Sequence, residues 1–198
     1  MGVGGVNMVT AQNVVTPERF ASALTYEQFA GQIEKNIEEF KDNYDNTKVS
    51  PELTARLKAL VAKSNGPKKL LVLGEDWCPD VYRGLPVLAR LAEAAGIEFK
   101  ALPRDQNLDI MNQYLNHGEF QSIPTALFYT DKMDLILVWW ERPAKANEEI
   151  SQMHAVVGDR TREEAADDLL KFRRGPVWGS WRNATIQELI GLLEEKVG

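Results

Sequence analysis

The chain has a single cysteine, Cys78, and two histidines, His117 and His154, among its 198 residues. One thiol excludes an intrachain disulfide and an all-cysteine metal site, and no Cys/His pair has metal-ligand spacing, so neither a metal nor a cofactor is expected. Basic charge is also scarce: 23 Lys and Arg stand against 29 Asp and Glu, a net charge of −6. That balance argues against general nucleic-acid binding, which needs a basic field to neutralise phosphates, and against a polybasic membrane anchor. Long apolar runs are missing too. The longest, such as Leu135 to Trp140, suit a strand and fall far short of the roughly 20 residues that span a bilayer. The opening MGVGGVNMVTAQNVV lacks a basic stretch followed by a continuous apolar one, so no secretory signal is read there and a reducing, cytoplasmic setting is the expectation. No Gly-rich phosphate loop and no Ser/His/Asp arrangement occurs.

What is present is an ordinary globular composition, 44% hydrophobic and 26% charged. Residues 1–24 are small and weakly patterned and read as a flexible arm; 25–198 read as one domain. Thr25 and Gln28 fit a capping box, and Phe29, Ile33, Ile37 and Phe40 recur at helical spacing, which predicts a helix over 26–43. Ser50-Pro51 predicts a capped helix start, with Leu53, Leu57, Leu60 and Val61 as its apolar face and Asn65-Gly66-Pro67 as its stop. Leu70-Leu71-Val72-Leu73 is a short unbroken apolar run, the pattern of a strand buried on both faces. A helix over about 81–95, a strand over 97–102, a helix near 110–115 and a hairpin of strands 125–129 and 135–140 follow. Helical patterns at 144–155 and 161–173, an irregular aromatic stretch and a last helix near 184–196 complete the chain. A strand–helix–strand unit demands a parallel pair, and the hairpin adds antiparallel strands, so the expected architecture is α/β: a small mixed sheet flanked by helices.

Glu75-Asp76-Trp77-Cys78-Pro79-Asp80 joins the first strand to the helix after it. The crevice beyond the carboxyl ends of parallel strands is where open sheets bind ligands. A cysteine there also faces a helix amino terminus, whose free N–H groups favour a thiolate, while Glu75, Asp76 and Asp80 oppose it. Arg104 leaves the carboxyl end of the next strand and is a candidate electrostatic support, either pairing with Asp80 or holding the thiolate. Pro86 sits eight residues after the cysteine, where it kinks the helix. Pro124, after Ile123 and just before the third strand, is a candidate cis peptide.

These features together resemble the thioredoxin superfamily: Trp77-Cys78 at the strand–helix junction, Pro86 eight residues on, and Ile123-Pro124-Thr125 opening the hairpin. The resemblance covers about 50–143 plus the last helix, with an added amino-terminal helix and a helical insertion at about 144–176. More narrowly, Trp77-Cys78-Pro79-Asp80, the segment Leu102 to Asn107 and Trp139-Trp140-Glu141-Arg142-Pro143 are similar to a bacterial thioredoxin-like branch with Trp-Cys-x-Asp. The departures are informative. Val81 stands where a dithiol enzyme has its resolving cysteine, and Val72 where it has a buried acid. The resemblance therefore implies a monothiol site in which Cys78 is the nucleophile and Asp80 a proton carrier, with Trp77, Pro79, Ile123, Pro124 and Thr125 lining a substrate groove. Its partner is a thiol- or disulfide-containing protein or a low-molecular-weight thiol, and an external thiol resolves the mixed disulfide. The other reading is a non-catalytic binding or chaperone-like module that keeps the groove without turnover. A glutathione-linked or cluster-binding monothiol role ranks last, because no basic pocket for that tripeptide is visible in the sequence.

Two further segments have competing readings. The basic residues Arg160, Arg162, Lys171, Arg173 and Arg174 read as a solvated helical face rather than a nucleic-acid patch. Trp178 and Trp181, in a Gly/Pro-rich stretch, read as rings packed on the body of the domain rather than as a cover for the crevice.

Overall fold

Leu70, Leu71, Val72 and Leu73 are fully buried, and that is the organising fact of the sheet. They form β1 (Lys69–Gly74), which pairs in parallel with β2 (Glu98–Pro103) and antiparallel with β3 (Thr125–Tyr129). β4 (Leu135–Trp140) closes the order β2-β1-β3-β4, antiparallel to β3. A strand with neighbours on both edges and helices over both faces has no position for a polar side chain, which explains the unbroken apolar run. The computed structural model describes residues 14–198.

Helix α5 (Pro79–Ala95) crosses from β1 to β2 and ends at Gly96, whose φ of 75° lies in the left-handed region that glycine adopts without penalty. The helix packs against α3 (Ile37–Asn46), α4 (Pro51–Ala62) and α9 (Pro176–Val197). α9 also covers β4. Ser50 caps α4 through the Leu53 N–H, as the Ser-Pro start predicts. This is the expected mixed α/β architecture.

Three boundaries differ from expectation. The described part of the arm, 14–24, carries a helix, α1 (Pro17–Ser22), with Val15 and Phe20 buried. Arg19 ties it to Asp109 and to Asn107, and Leu24 exchanges backbone bonds of 3.0 and 2.8 Å with Ala101, covering the edge of β2. Residues 1–13 lie outside the described residues. The helix expected over 26–43 is two, α2 (Tyr26–Ala30) and α3. The Thr25–Gln28 capping box forms, but the N–H groups of Glu34 and Lys35 donate to the Asp76 carboxylate, each at 2.9 Å, and Asn36 has a φ of 60°. A distant carboxylate thus claims donors that a continuous helix would need. The aromatic stretch is not a loop: Trp178 and Trp181 sit in the first turns of α9, at 1% and 0% exposure, with ring centroids 5.2 Å apart. Before α9, α7 (Ala144–Val157) and α8 (Ala166–Arg173) occupy the span of the expected insertion, and α6 is a short turn over Leu108–Met111.

Candidate functional site

β1 ends at Gly74, and the chain then turns through Glu75–Trp77 to place Cys78 at the cap of α5. Each acid in the turn has a structural task. The Glu75 carboxylate accepts the Asp105 N–H at 2.8 Å, and Asp76 holds the α2–α3 connection as described. The Cys78 carbonyl accepts the N–H groups of Val81 and Tyr82 at 3.0 and 3.1 Å, which starts the helix.

The Cys78 side chain is half-buried and its Sγ lies 3.8 Å from the Ile123 carbonyl oxygen. The Ile123–Pro124 peptide is cis. So residues 45 positions apart are brought to one edge of the sheet. The thiol, however, is not activated. Burial pushes its pKa above the ordinary cysteine value, the N–H groups of Val81 and Asp80 pull it back, and the charges of Asp80 and Glu141 push it up again. The helix end was expected to favour a thiolate; desolvation and two carboxylates outweigh it.

Asp80 is held between two arginines, Arg83 at 3.3 Å and Arg142 at 3.4 Å. Arg83 is fully buried and also reaches the Glu141 carbonyl at 3.1 Å and the Thr185 hydroxyl at 3.3 Å, while its guanidinium lies 5.8 Å from the Trp178 ring centroid. Glu141 in turn donates its N–H to the Pro124 carbonyl at 2.8 Å. Arg83 therefore links the acid beside the thiol to the proline turn facing it. Gly84, on the same helix, leaves room for that turn: a Cβ there would sit 3.0 Å from Pro124 Cγ. Sequence reasoning missed Arg83 and Gly84, although each occupies a helix position where a leucine-like core residue would be ordinary, and that was the available signal.

Arg104 does not join this group. It pairs with Asp105 at 2.6 Å, donates to the Gln121 carbonyl and lies over the Trp77 ring, 5.4 Å from its centroid. Of the two roles considered for Arg104, pairing with Asp80 is taken by Arg83 and Arg142, and Arg104 is held by Asp105 instead. The groove also differs from expectation. Ile123, Pro124 and Thr125 are buried, and the Thr125 hydroxyl donates to the Ser122 carbonyl, so these side chains brace the turn from beneath. The accessible rim is Trp77, 47% exposed, with Cys78 and Pro79. Val81 and Val72, standing at the resolving-thiol and buried-acid positions, are fully enclosed.

Among the described residues, no group of three or more His, Cys, Asp and Glu is placed to hold a metal, and no helix is long and apolar enough to cross a membrane.

Comparison with known proteins agrees with this fold. The sequence profile of a family described as Thioredoxin matches residues 23–154. A crystal structure of a protein of unknown function from Pseudomonas aeruginosa superposes with a TM-score of 0.62 at 21% identity, covering 89% of this chain and 95% of that one. An HIV epitope scaffold superposes with a TM-score of 0.58 at 22% identity, covering 90% and 96%. At these identities both are similar in fold alone. No curated protein matches the sequence.

Proposed function

The chain belongs to the thioredoxin family, and from that premise we propose that it is a monothiol member acting in thiol–disulfide exchange through Cys78. The observation that carries this reading is the half-buried Cys78 at the cap of α5, its Sγ 3.8 Å from the Ile123 carbonyl at the proline turn. In the reaction, Cys78 loses its proton to solvent and its sulfur attacks one sulfur of a partner disulfide. A new S–S bond forms, the old one breaks, and the leaving thiolate takes the electron pair and a proton. Val81 offers no second thiol, so a low-molecular-weight thiol loses its proton and attacks the partner's sulfur in the mixed disulfide; the bond to Cys78 breaks, Cys78 leaves with the electron pair and takes up a proton, and the small thiol takes its place in a new disulfide with the partner. A reducing, cytoplasmic setting supplies that thiol. The raised thiol pKa lowers the thiolate fraction available for Cys78's attack at neutral pH.

A second reading has its own support. Asp80 is committed to two arginines and the thiol is held neutral, as befits a module that has kept the fold and given up turnover. Intact-mass measurement separates the two. Incubated with a disulfide-bonded peptide, the folded chain gains a mixed disulfide at Cys78 that added low-molecular-weight thiol removes, and Cys78→Ser gains none. If only the denatured chain becomes modified, Cys78 is a packed side chain and the binding reading stands.

A further inference from the structure

Pro79, next to Cys78 in the chain, forms one wall of a cavity of about 210 Å³ whose other walls come from α7, α8 and the turn between them. Met153, Val157 and Leu169 supply its hydrocarbon, and Arg162 and Arg173, with His154, its polar lining. The turn that brings the two helices together is firmly built. Gly158 takes φ 57° and ψ −135°, a conformation that requires glycine. Arg160 then donates to the Val156 carbonyl at 2.6 Å and pairs with Asp168 at 3.1 Å.

The two lining arginines are unlike most others in this acidic chain. Arg19, Arg56, Arg90, Arg104 and Arg160 each hold a carboxylate. Among the described residues Arg162 has no polar partner, and Arg173 Nε is buried with none. The Arg173 guanidinium lies 5.3 Å from the Tyr82 ring centroid, which holds it in place. Glu39, pushed up by its own burial, is pulled down by the charge of Arg173 but makes no ion pair with it. A pre-positioned guanidinium without a carboxylate beside apolar walls is a receptor for an anion carried on a hydrocarbon segment, since its fork matches the two oxygens of a carboxylate.

We propose that this cavity binds the carboxylate-bearing half of a low-molecular-weight disulfide or thiol, offering its sulfur to Cys78. The assignment rests on the exchange reading for the sulfur but not for the anion. The bond changes are those of ordinary exchange: the Cys78 sulfur attacks, the ligand's S–S bond breaks, and its other half leaves with the electron pair.

The test has one arm without redox chemistry. In full-length Cys78→Ser, calorimetry is expected to show 4-phenylbutyrate binding at least about fivefold more tightly than its neutral amide, the scale of one partly exposed ion pair. Added salt narrows the gap, and Arg173→Gln or Arg162→Gln closes most of it; Arg162 is exposed, so its variant keeps the fold even if loss of the Tyr82 contact disturbs the other. In the second arm, Cys78 of the wild-type chain reacts with dianionic 5,5′-dithiobis(2-nitrobenzoate) and with neutral 4,4′-dithiodipyridine. Both arginine variants slow the first reaction and spare the second. Equal binding of acid and amide, no binding of either, or a rate ratio indifferent to Arg162→Gln overturns the proposal. So does competition by inorganic phosphate, or by an acidic cysteine-free peptide, that equals phenylbutyrate, because a bare anion site or a protein ligand then replaces the small molecule. Binding of phenylbutyrate to a chain whose Cys78 reacts with neither disulfide sinks the exchange reading and leaves the anion site standing.

Discussion

The two flanks of Cys78 treat charge in opposite ways. On the Trp77 side and beneath the thiol, every charge is spent inside the chain: Glu75 on the Asp105 N–H, Asp76 on the α2–α3 connection, Arg104 on Asp105, and Asp80 on Arg83 and Arg142. On the Pro79 side, Arg162 and Arg173 face a cavity and hold no carboxylate. Charges that are paired internally shape the turn and set the state of the thiol. Unpaired ones remain available to a ligand. The difference teaches that the densest cluster of ionisable residues around Cys78 is architecture, and that the arm of the site able to recognise something outside the chain lies in the helical insertion.

The comparison breaks most visibly at Arg83. Arg83→Ala leaves Asp80 and the Glu141 carbonyl short of a buried partner, and it is expected to lower stability by about 3 kcal/mol in chemical denaturation. If the protein tolerates it without loss, the paired flank is not what holds the turn. Asp80→Asn comes next. Removing a charge that opposes ionisation, while leaving buried Arg83 without its carboxylate, lowers the thiol pKa and speeds iodoacetamide labelling of Cys78 at neutral pH. A proton carrier at that position would make labelling slower instead.

pH sharpens the same point. The unfolded thiol ionises near the usual 9.0, the folded one only above it. Between those values the unfolded chain has lost a proton that the folded chain keeps. The contribution of Cys78 to stability is therefore complete below the unfolded value and is lost as pH rises through the folded one. Denaturation curves of the wild type, less those of Cys78→Ser, should fall over that alkaline window and stay flat below it. Gly84→Ala has a smaller effect: crowding of Pro124 outweighs the better helix propensity of alanine, for a net loss of about 1 kcal/mol in the same measurement. Arg104→Ala is the smallest, under about 0.5 kcal/mol, with the alkylation rate of Cys78 unchanged, because its charge belongs to Asp105.

Much of the fold was legible from local signals. The capping box at Thr25, the Ser50-Pro51 start, the Gly96 stop and the apolar run of β1 all depend on residues a few positions apart, and all appear in the structure. The helix expected over 26–43 is not legible as two because its interruption is caused by Asp76, about 40 residues away. The aromatic stretch reads as irregular because Gly and Pro are turn residues in isolation, whereas in the structure Pro176 opens α9 and Trp178 and Trp181 pack against each other and Phe172. In the candidate site, the meeting of Cys78 with the Ile123-Pro124 turn was foreseen. The electrostatic state of the thiol, the role of Arg104 and the depth of Thr125 were not.

From the order of residues alone came the alternation of strands and helices and a single sulfur at a strand–helix junction; that valines stand where a second thiol and an acid would serve came from the resemblance to the thioredoxin superfamily. The first two follow from periodicity, caps and residue identity, which act over a turn or two of chain. Which carboxylate meets which arginine, how dry the sulfur is, and which cations are left facing a cavity were decided only when distant segments packed. Desolvation and ion pairing depend on the atoms within a few ångströms in space, and at Cys78 most of those atoms arrive from elsewhere in the chain.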